Sequence, residues 1–274
     1  MERAHLRLVA DTQAARPYIA VKDVSQIFRR GGTVTHALDH IDLTVPQGEF
    51  VAIVGPSGCG KSTLLRIIAG LLRHTSGSVQ LDGKEVAGAQ TALSVVFQSP
   101  VLLEWRNVLG NVMLQLELRG LDPKAYLARA HELLEKVGLG EFHDRRPREL
   151  SGGMRQRAAI VRALIHDPPL LLMDEPFGAL DALTREQMRI DLEELWMQTG
   201  KTVLFITHSI DEAVLLADRV IVMSPRPGKI EQVYDIALAR PRGLGARAHP
   251  HFIEATQKIT DLFLSKGILR GDRK

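Results

Sequence analysis

A glycine-rich segment between an apolar run and an amphipathic stretch is the feature that most constrains this fold. The segment, over 55–62, reads Gly-Pro-Ser-Gly-Cys-Gly-Lys-Ser. The apolar run over 49–54 predicts a buried strand, and the apolar spacing over 61–72 predicts a helix. Glycine permits the tight turn that directs successive backbone N–H groups towards one point in front of that helix. The three pieces together predict a parallel α/β sheet that binds an anion at its edge.

This segment matches the P-loop pattern, whose backbone and helix dipole bind nucleotide phosphates. We expect Lys61 to pair with the β- and γ-phosphates, the Ser62 hydroxyl to hold Mg²⁺ and Thr63 to contact the α-phosphate of ATP. A helix N-terminus favours the thiolate of a cysteine such as Cys59, yet we expect only its backbone N–H to take part in binding. The predicted nucleotide-binding residues of this segment are Gly55, Pro56, Ser57, Gly58, Cys59, Gly60, Lys61, Ser62 and Thr63.

Buried strands alternate with helices along most of the chain. The predicted strands begin at 18 and continue at 37–45, 49–54, 77–81, 94–98, 170–173, 203–207 and 219–223. Helical patterns cover 61–72, 183–199 and 210–218, and the region 99–157 is helical in character throughout. Such alternation indicates a parallel sheet that is covered on both faces.

We divide the chain into three parts. Residues 1–17 lack periodicity and are predicted to be a flexible leader, and 18–240 form one domain with the helical subdomain 99–157 inserted in it. Residues 241–274 are predicted to be a linker rich in Arg, Gly and Pro, followed by one amphipathic helix. We therefore expect a chain that ends near Arg240 to keep its activity.

The composition excludes several classes of protein. The excess of 35 Lys+Arg over 32 Asp+Glu is too small to indicate a nucleic-acid partner. A single cysteine excludes an intramolecular disulfide framework. The sequence has no apolar run of about 18 residues or more and no secretory apolar region near its N-terminus. We expect a cytoplasmic protein that reaches a membrane only by docking to another chain.

Two adjacent carboxylates end the predicted strand 170–173. Asp174 and Glu175 follow directly after its leucines, and the carboxyl ends of strands in a doubly wound sheet face the ligand. We expect Asp174 to support Mg²⁺ through the water shell of the ion. Glu175 is the expected general base, which polarises the attacking water.

The segment 150–157 narrows the choice among the protein families that contain a P-loop. Its sequence, Leu-Ser-Gly-Gly-Met-Arg-Gln-Arg, closely resembles the signature of ABC ATPases, and it precedes the carboxylate strand as it does in that family. Ser151, Gly152 and Gly153 form a second anion site at a helix start. The resemblance implies a head-to-tail dimer of two copies, in which each ATP lies between one P-loop and the partner's signature.

Other motifs of the same family follow in order. The resemblance, over about 18–230, implies that Phe28 stacks on adenine, that Gln98 senses Mg²⁺ and the water, and that His208 contacts the γ-phosphate. Asp181, in the sequence Gly-Ala-Leu-Asp over 178–181, matches the loop that communicates across the dimer. The implied fold is the α/β P-loop NTPase (RecA-like) type: a core sheet flanked by helices, an inserted helical subdomain and an N-terminal antiparallel β portion. Lys61, Gln98, Glu175 and His208 are the implied catalytic residues.

Two further segments resemble the importer ATPases of the nitrate, sulfonate and taurine group. They are 102–108, where Glu104 replaces the commoner proline, and 223–230, which reads Met-Ser-Pro-Arg-Pro-Gly-Lys-Ile. The apolar residues near Trp105 suit a protein–protein groove for a transmembrane permease. The resemblance implies a peripheral protein on the cytoplasmic face of the inner membrane, with an extracytoplasmic solute-binding protein as an indirect partner.

Three other functions are open to a chain with these motifs. DNA-repair and translation members of the family act on nucleic acid or ribosomes, but they carry long coiled coils, zinc modules or two cassettes, and this sequence has none of these. An exporter would need its membrane segments on a separate chain. A non-hydrolysing scaffold would lack a catalytic residue, whereas Lys61, Glu175 and His208 are all present.

Overall fold

The computed structural model describes residues 17–269, in which ten strands form two sheets. The strands are β1 (Ile19–Arg30), β2 (Thr33–Val45), β3 (Phe50–Val54), β4 (Ser76–Leu81), β5 (Lys84–Glu85), β6 (Ser94–Val96), β7 (Leu170–Asp174), β8 (Thr202–Ile206), β9 (Arg219–Met223) and β10 (Ile230–Asp235). One sheet has the antiparallel order β2-β1-β4-β5. The other has the order β10-β9-β3-β8-β7-β6, and only its edge strand β10 is antiparallel to its neighbour. The predicted core sheet and N-terminal antiparallel portion are thus confirmed.

Seven α-helices accompany these sheets within the described residues. They are α1 (Lys61–Ile68), α2 (Val108–Leu118), α3 (Leu127–Lys136), α4 (Gly152–Leu164), α5 (Ala182–Thr199), α6 (Ile210–Leu216) and α7 (Pro250–Ser265). The chain between β6 and β7 contains α2, α3 and α4. Because α4 starts at the predicted signature and extends to the strand β7, it joins the helical insertion to the core. None of these helices is long and apolar enough to cross a membrane.

The central sheet separates two hydrophobic cores. In β3 every residue is buried, and the side chains alternate between the two faces. Phe50, Ala52 and Val54 belong to the core shared with the helical insertion. Val51 and Ile53 belong to the core shared with α1 and the antiparallel sheet. Burial on both faces explains why this strand is a continuous apolar run rather than an alternating one.

The order of the strands brings three loops together. β3, β8 and β7 are parallel neighbours, so their carboxyl ends lie at one edge of the sheet. The glycine-rich loop follows β3, Glu175 follows β7, and His208 follows β8 by two residues. Sequence positions more than a hundred residues apart therefore meet at the same edge.

The segment after β10 differs from the expected linker, because Arg242 is packed against the core. Arg242 is only 2% exposed. Its guanidinium donates to the carbonyl oxygens of Val214 at 2.9 Å and Ala217 at 2.7 Å, near the end of α6. Its backbone N–H donates to the carboxylate of Glu193 in α5 at 2.9 Å. Richness in Arg, Gly and Pro predicts a linker, but here Arg242 forms hydrogen bonds with buried backbone carbonyls.

Both ends of the chain reach beyond the described range. The predicted leader, 1–17, falls outside it apart from Pro17. The predicted C-terminal helix is present as α7, whose buried residues are Phe252, Ile259 and Phe263. This helix packs on α6, so the C-terminal part of the chain covers the element that follows His208.

Candidate active site

The glycine-rich loop encloses the side chain of Lys61. Lys61 is 4% exposed, and its ammonium donates to the carbonyl oxygens of Gly55 at 2.8 Å and Pro56 at 3.1 Å. Gly60 has a φ of 110°, and a Cβ at this position would lie 2.8 Å from the carbonyl oxygen of Ala37. Only glycine fits both the backbone conformation and the close approach of β2. The loop therefore holds one positive charge at its centre, in front of the N-terminus of α1.

Cys59 is buried rather than reactive. Its side chain is 1% exposed, and burial raises the pKa of its thiol. Desolvation outweighs the neighbouring positive charge of Lys61, so the position at the helix N-terminus does not favour a thiolate here. The backbone N–H of Cys59 donates to the carbonyl oxygen of Pro56 at 3.3 Å, so in this structure it serves the loop itself.

Ser62 and Asp174 form a pair of oxygen ligands beside this loop. The Ser62 hydroxyl donates to Oδ1 of Asp174 at 2.9 Å, and Asp174 is 6% exposed at the end of β7. Hydroxyl and carboxylate oxygens are the ligands that Mg²⁺ prefers. The two residues therefore fit the predicted magnesium site, in which a hydroxyl binds the ion and a carboxylate lies behind it.

Glu175 is held by residues from two other loops. Gln98 donates from Nε2 to its Oε2 at 3.1 Å, and Nε2 of His208 lies 2.6 Å from its Oε1. The backbone of Glu175 has a φ of 50°, the left-handed region that few residues with a side chain adopt. Its N–H donates to the carbonyl oxygen of Ile206 at 2.9 Å, which helps to hold this conformation. Three predicted catalytic residues thus meet at one carboxylate.

These residues line one cleft between the two sheets. Its lining residues are Phe28, Thr35, Ala37, Ser57, Gly58, Gly60, Lys61, Ser62, Thr63, Gln98, Glu175, His208 and Arg226. Phe28 is 39% exposed at the cleft, as a residue that stacks on a ligand must be. Sequence reasoning missed Thr35, Ala37 and Arg226. Arg226 lies in the segment 223–230, whose resemblance to importer ATPases implies no role in the cleft for this residue.

The predicted signature residues and Asp181 lie on other elements, at the starts of α4 and α5. Ser151 begins α4 and its hydroxyl accepts from the N–H of Met154 at 3.2 Å, with Gly152 and Gly153 in the first turn. Asp181 begins α5 and accepts from the N–H of Thr184 at 3.0 Å. Within one chain, then, the signature does not face the glycine-rich loop. Their roles in nucleotide binding stay predictions.

The family model described as ABC transporter matches residues 38–178 of the chain. An uncharacterised ABC transporter ATP-binding protein of Methanocaldococcus jannaschii is 48% identical over 244 residues, which are 89% of this chain and 90% of that protein. A taurine import ATP-binding protein of Rhizobium johnstonii is 47% identical over 246 residues, which are 88% of this chain and 94% of that protein. A taurine import ATP-binding protein of Escherichia coli O157:H7 is 49% identical over 203 residues, 74% of this chain and 80% of that protein.

Two solved structures have the same fold. The dimeric structure of a bacterial ABC transporter cassette superposes with a TM-score of 0.73 at 35% identity, over 80% of this chain and 98% of that one. A post-hydrolysis state of the same cassette, bound to ADP and Pi, gives a TM-score of 0.72 at 34% identity over the same shares of the chains. Because the similarity extends through the cleft and most of the chain, this protein belongs to the ABC transporter family as an ATP-binding ATPase.

Proposed function

We propose that this chain is the ATPase subunit of an ABC importer for taurine or a related small nutrient, such as nitrate or another sulfonate. The ATPase assignment rests on the contacts that Gln98 and His208 make with the Glu175 carboxylate, in the cleft that also contains Lys61. The import half is supported by the relatives from Rhizobium johnstonii and Escherichia coli, whose names state taurine import. The segments 102–108 and 223–230 favour the same group.

Each of these residues of the cleft would have its own role in ATP hydrolysis. Lys61 would exchange its two loop carbonyls for β- and γ-phosphate oxygens, and Phe28 would stack on the adenine. Mg²⁺, held by Ser62 with Asp174 and Gln98 near it, would neutralise charge on the phosphate oxygens. Glu175 would accept the proton of the attacking water as general base. His208 is placed to orient the Glu175 carboxylate and to contact the γ-phosphate.

The second half of each site would come from a second copy of the chain. Ser151, Gly152 and Gly153 present a helix N-terminus that lies outside their own cleft. In a head-to-tail homodimer they would face the γ-phosphate bound by the partner, and Asp181 would lie at the junction of the two copies. The dimeric form of the similar cassette supports this arrangement. Hydrolysis would then remove the anion that joins the two chains.

The segment after Gln98 is the proposed contact for a transmembrane permease. Trp105 is 72% exposed and Val101 is 61% exposed. Arg162 of α4 donates to the carbonyl oxygens of Val101 at 2.7 Å and Pro100 at 2.9 Å, so this loop is fixed to the helix that begins at the signature. Through these hydrogen bonds, a permease docked on this segment would respond to movement of α4.

We place the chain at the cytoplasmic face of the inner membrane, with a solute-binding protein as an indirect partner and no nucleic acid.

Uptake by reconstituted vesicles tests this proposal. The chain would be co-expressed and co-purified with the permease of a taurine importer, incorporated into vesicles and supplied with internal ATP, the matching solute-binding protein and labelled taurine. We expect ATP-dependent accumulation that stops when Glu175→Gln replaces the chain. Accumulation of nitrate or another sulfonate instead would correct the substrate only. Failure of the chain to co-purify with the permease would overturn the importer assignment while leaving the ATPase assignment intact.

A further inference from the structure

The turn between β9 and β10 is held in one conformation by Ser224. We call residues 224–229 the 224–229 turn. The N–H of Ser224 donates to the carbonyl oxygen of Lys229, and the N–H of Lys229 donates to the Ser224 hydroxyl oxygen, each at 2.9 Å. The same hydroxyl lies 2.9 Å from the carbonyl oxygen of Pro225 and 3.0 Å from that of Pro227. Ser224 is 7% exposed, so the turn is closed around a buried hydrogen-bonding side chain.

Arg226 projects from this turn onto the glycine-rich loop. Its Nε and Nη2 donate to the carbonyl oxygen of Gly58 at 3.1 Å and 3.0 Å. Gly58 has a φ of 74°, and its carbonyl shares a planar peptide with the N–H of Cys59. Two donors from one planar guanidinium therefore fix the orientation of a peptide inside the phosphate-binding loop.

The same turn also contacts the antiparallel sheet. The N–H of Gly228 donates to the carbonyl oxygen of Ala37, and the N–H of Asp39 donates to the carbonyl oxygen of Gly228, each at 3.0 Å. The ammonium of Lys229 lies 2.8 Å from the Asp39 carboxylate. Ala37 lines the cleft, and Phe28 lies on the adjacent strand β1. The 224–229 turn thus connects the side of the cleft that carries Phe28 with the side that carries the glycine-rich loop.

We propose that Arg226 is a positioning residue for nucleotide binding, which holds the Gly58 peptide so that the glycine-rich loop and the Phe28 side of the cleft fit one nucleotide together. The inference uses the ATP-binding cleft and is independent of the transported substrate. Arg226 bonds to the loop that would contact phosphate before and during reaction, and its hydrogen bonds do not involve Glu175, Gln98 or His208. Such a residue contributes equally to substrate and transition-state binding, so its loss changes KM and leaves kcat nearly unchanged.

The test compares Arg226→Ala with Arg226→Lys and with Arg66→Ala, which removes an exposed arginine from α1. For each protein, the Kd for a fluorescent ATP analogue is measured by titration, and the kcat and KM for ATP come from phosphate release with Mg²⁺ present. For Arg226→Ala we expect both Kd and KM to rise about tenfold, with kcat within about twofold of the parent. Arg226→Lys keeps the charge but not the planar pair of donors, so an intermediate rise is expected. Arg66→Ala should match the parent protein.

Several outcomes would overturn this inference. An Arg226→Ala protein with Kd and KM within about twofold of the parent would show that the Gly58 contact does not affect nucleotide binding. Full recovery in Arg226→Lys, or an equal loss in Arg66→Ala, would show an effect of charge alone. A fall in kcat at unchanged KM would place Arg226 in the chemical step. Thermal unfolding without nucleotide checks that all proteins are folded, and Arg226→Gln replaces Arg226→Ala if the latter is not.

Discussion

Nε2 of His208 lies 2.6 Å from Oε1 of Glu175, on the opposite side of the carboxylate from the amide of Gln98. Gln98 begins the loop that leads to the helical insertion, and His208 precedes α6. A shift of either loop would therefore change the position of the proposed base. This geometry explains how a partner that docks on the insertion could alter hydrolysis without touching the nucleotide.

Glu175→Gln separates binding from hydrolysis. The amide keeps the size of the side chain and an oxygen that can accept from Gln98, but it cannot accept the proton of water. We expect steady ATP turnover to fall by at least about 100-fold while ATP still binds. Phosphate release and titration with a fluorescent ATP analogue measure the two effects, with the exposed Glu194→Gln as control. Sustained turnover near the parent rate would remove Glu175 from the role of base.

Lys61→Ala weakens nucleotide binding itself. The buried ammonium is the positive charge at the centre of the glycine-rich loop, and its removal leaves two carbonyls there without a cation. We expect the Kd for ATP to rise by at least about tenfold. Removing the exposed lysine of β5 in Lys84→Ala gives the matched control. Unchanged ATP affinity in Lys61→Ala would contradict the assignment of the glycine-rich loop as the nucleotide-binding site.

His166 makes the stability of the fold depend on pH. Burial is the largest cause that lowers the pKa of its imidazole to about 4, and the nearby Arg119 and Lys201 act in the same direction. Between pH 6.5 and 4 the unfolded chain then binds more protons than the folded one, so stability falls as the pH falls. After allowance for partial exposure, we expect a loss of about 1 kcal/mol between pH 7 and pH 5.

The pH prediction is checked by urea unfolding of the parent and of His166→Gln at both pH values. Gln keeps a polar partner for the Ser94 hydroxyl, which lies 3.3 Å from Nε2 of the imidazole. The variant should lose about 1 kcal/mol less than the parent over this range. An identical pH dependence in the two proteins would show that His166 takes up its proton as readily in the folded protein as in the unfolded chain.

The C-terminal segment stabilises the core through Arg242. Replacing this residue by Ala would leave the carbonyl oxygens of Val214 and Ala217 buried without their donor. We expect the free energy of unfolding to fall by about 3 kcal/mol in Arg242→Ala. A chain ending at Arg240 should lose at least as much stability, because it lacks Arg242 and α7. Urea unfolding measures both, with the exposed Arg66→Ala as control, and parent-like stability would show the contacts to be dispensable.

The places of Lys61, Glu175 and His208 could be predicted from the sequence because each of these residues has a local signal. Lys61 lies in a glycine-rich loop between a strand and a helix, and Glu175 and His208 each follow an apolar run that can only be a buried strand. Parallel strands then bring their carboxyl ends together, so local patterns were enough to assemble these residues. The prediction of this site rested on the types of these three residues and on their order along the chain.

The remaining features depend on distant contacts that no local pattern contains. Arg226 is 168 positions from Gly58 in sequence, and a Pro-Arg-Pro-Gly turn looks like any exposed turn. Likewise, the left-handed backbone of Glu175 comes from the surrounding fold rather than from a residue that prefers it. Arg242 lies in a predicted polar linker, and its burial cannot be predicted locally because it requires acceptors that other elements supply.

The close approach at Gly228 limits how this protein can diverge. A Cβ at that position would lie 2.0 Å from the carbonyl oxygen of Cys59, closer than any real contact. Any residue with a side chain at this position would therefore force the phosphate-binding loop to rearrange. Random mutagenesis with selection for growth on the transported nutrient should therefore return glycine at Gly228, while exposed Pro225 beside it varies.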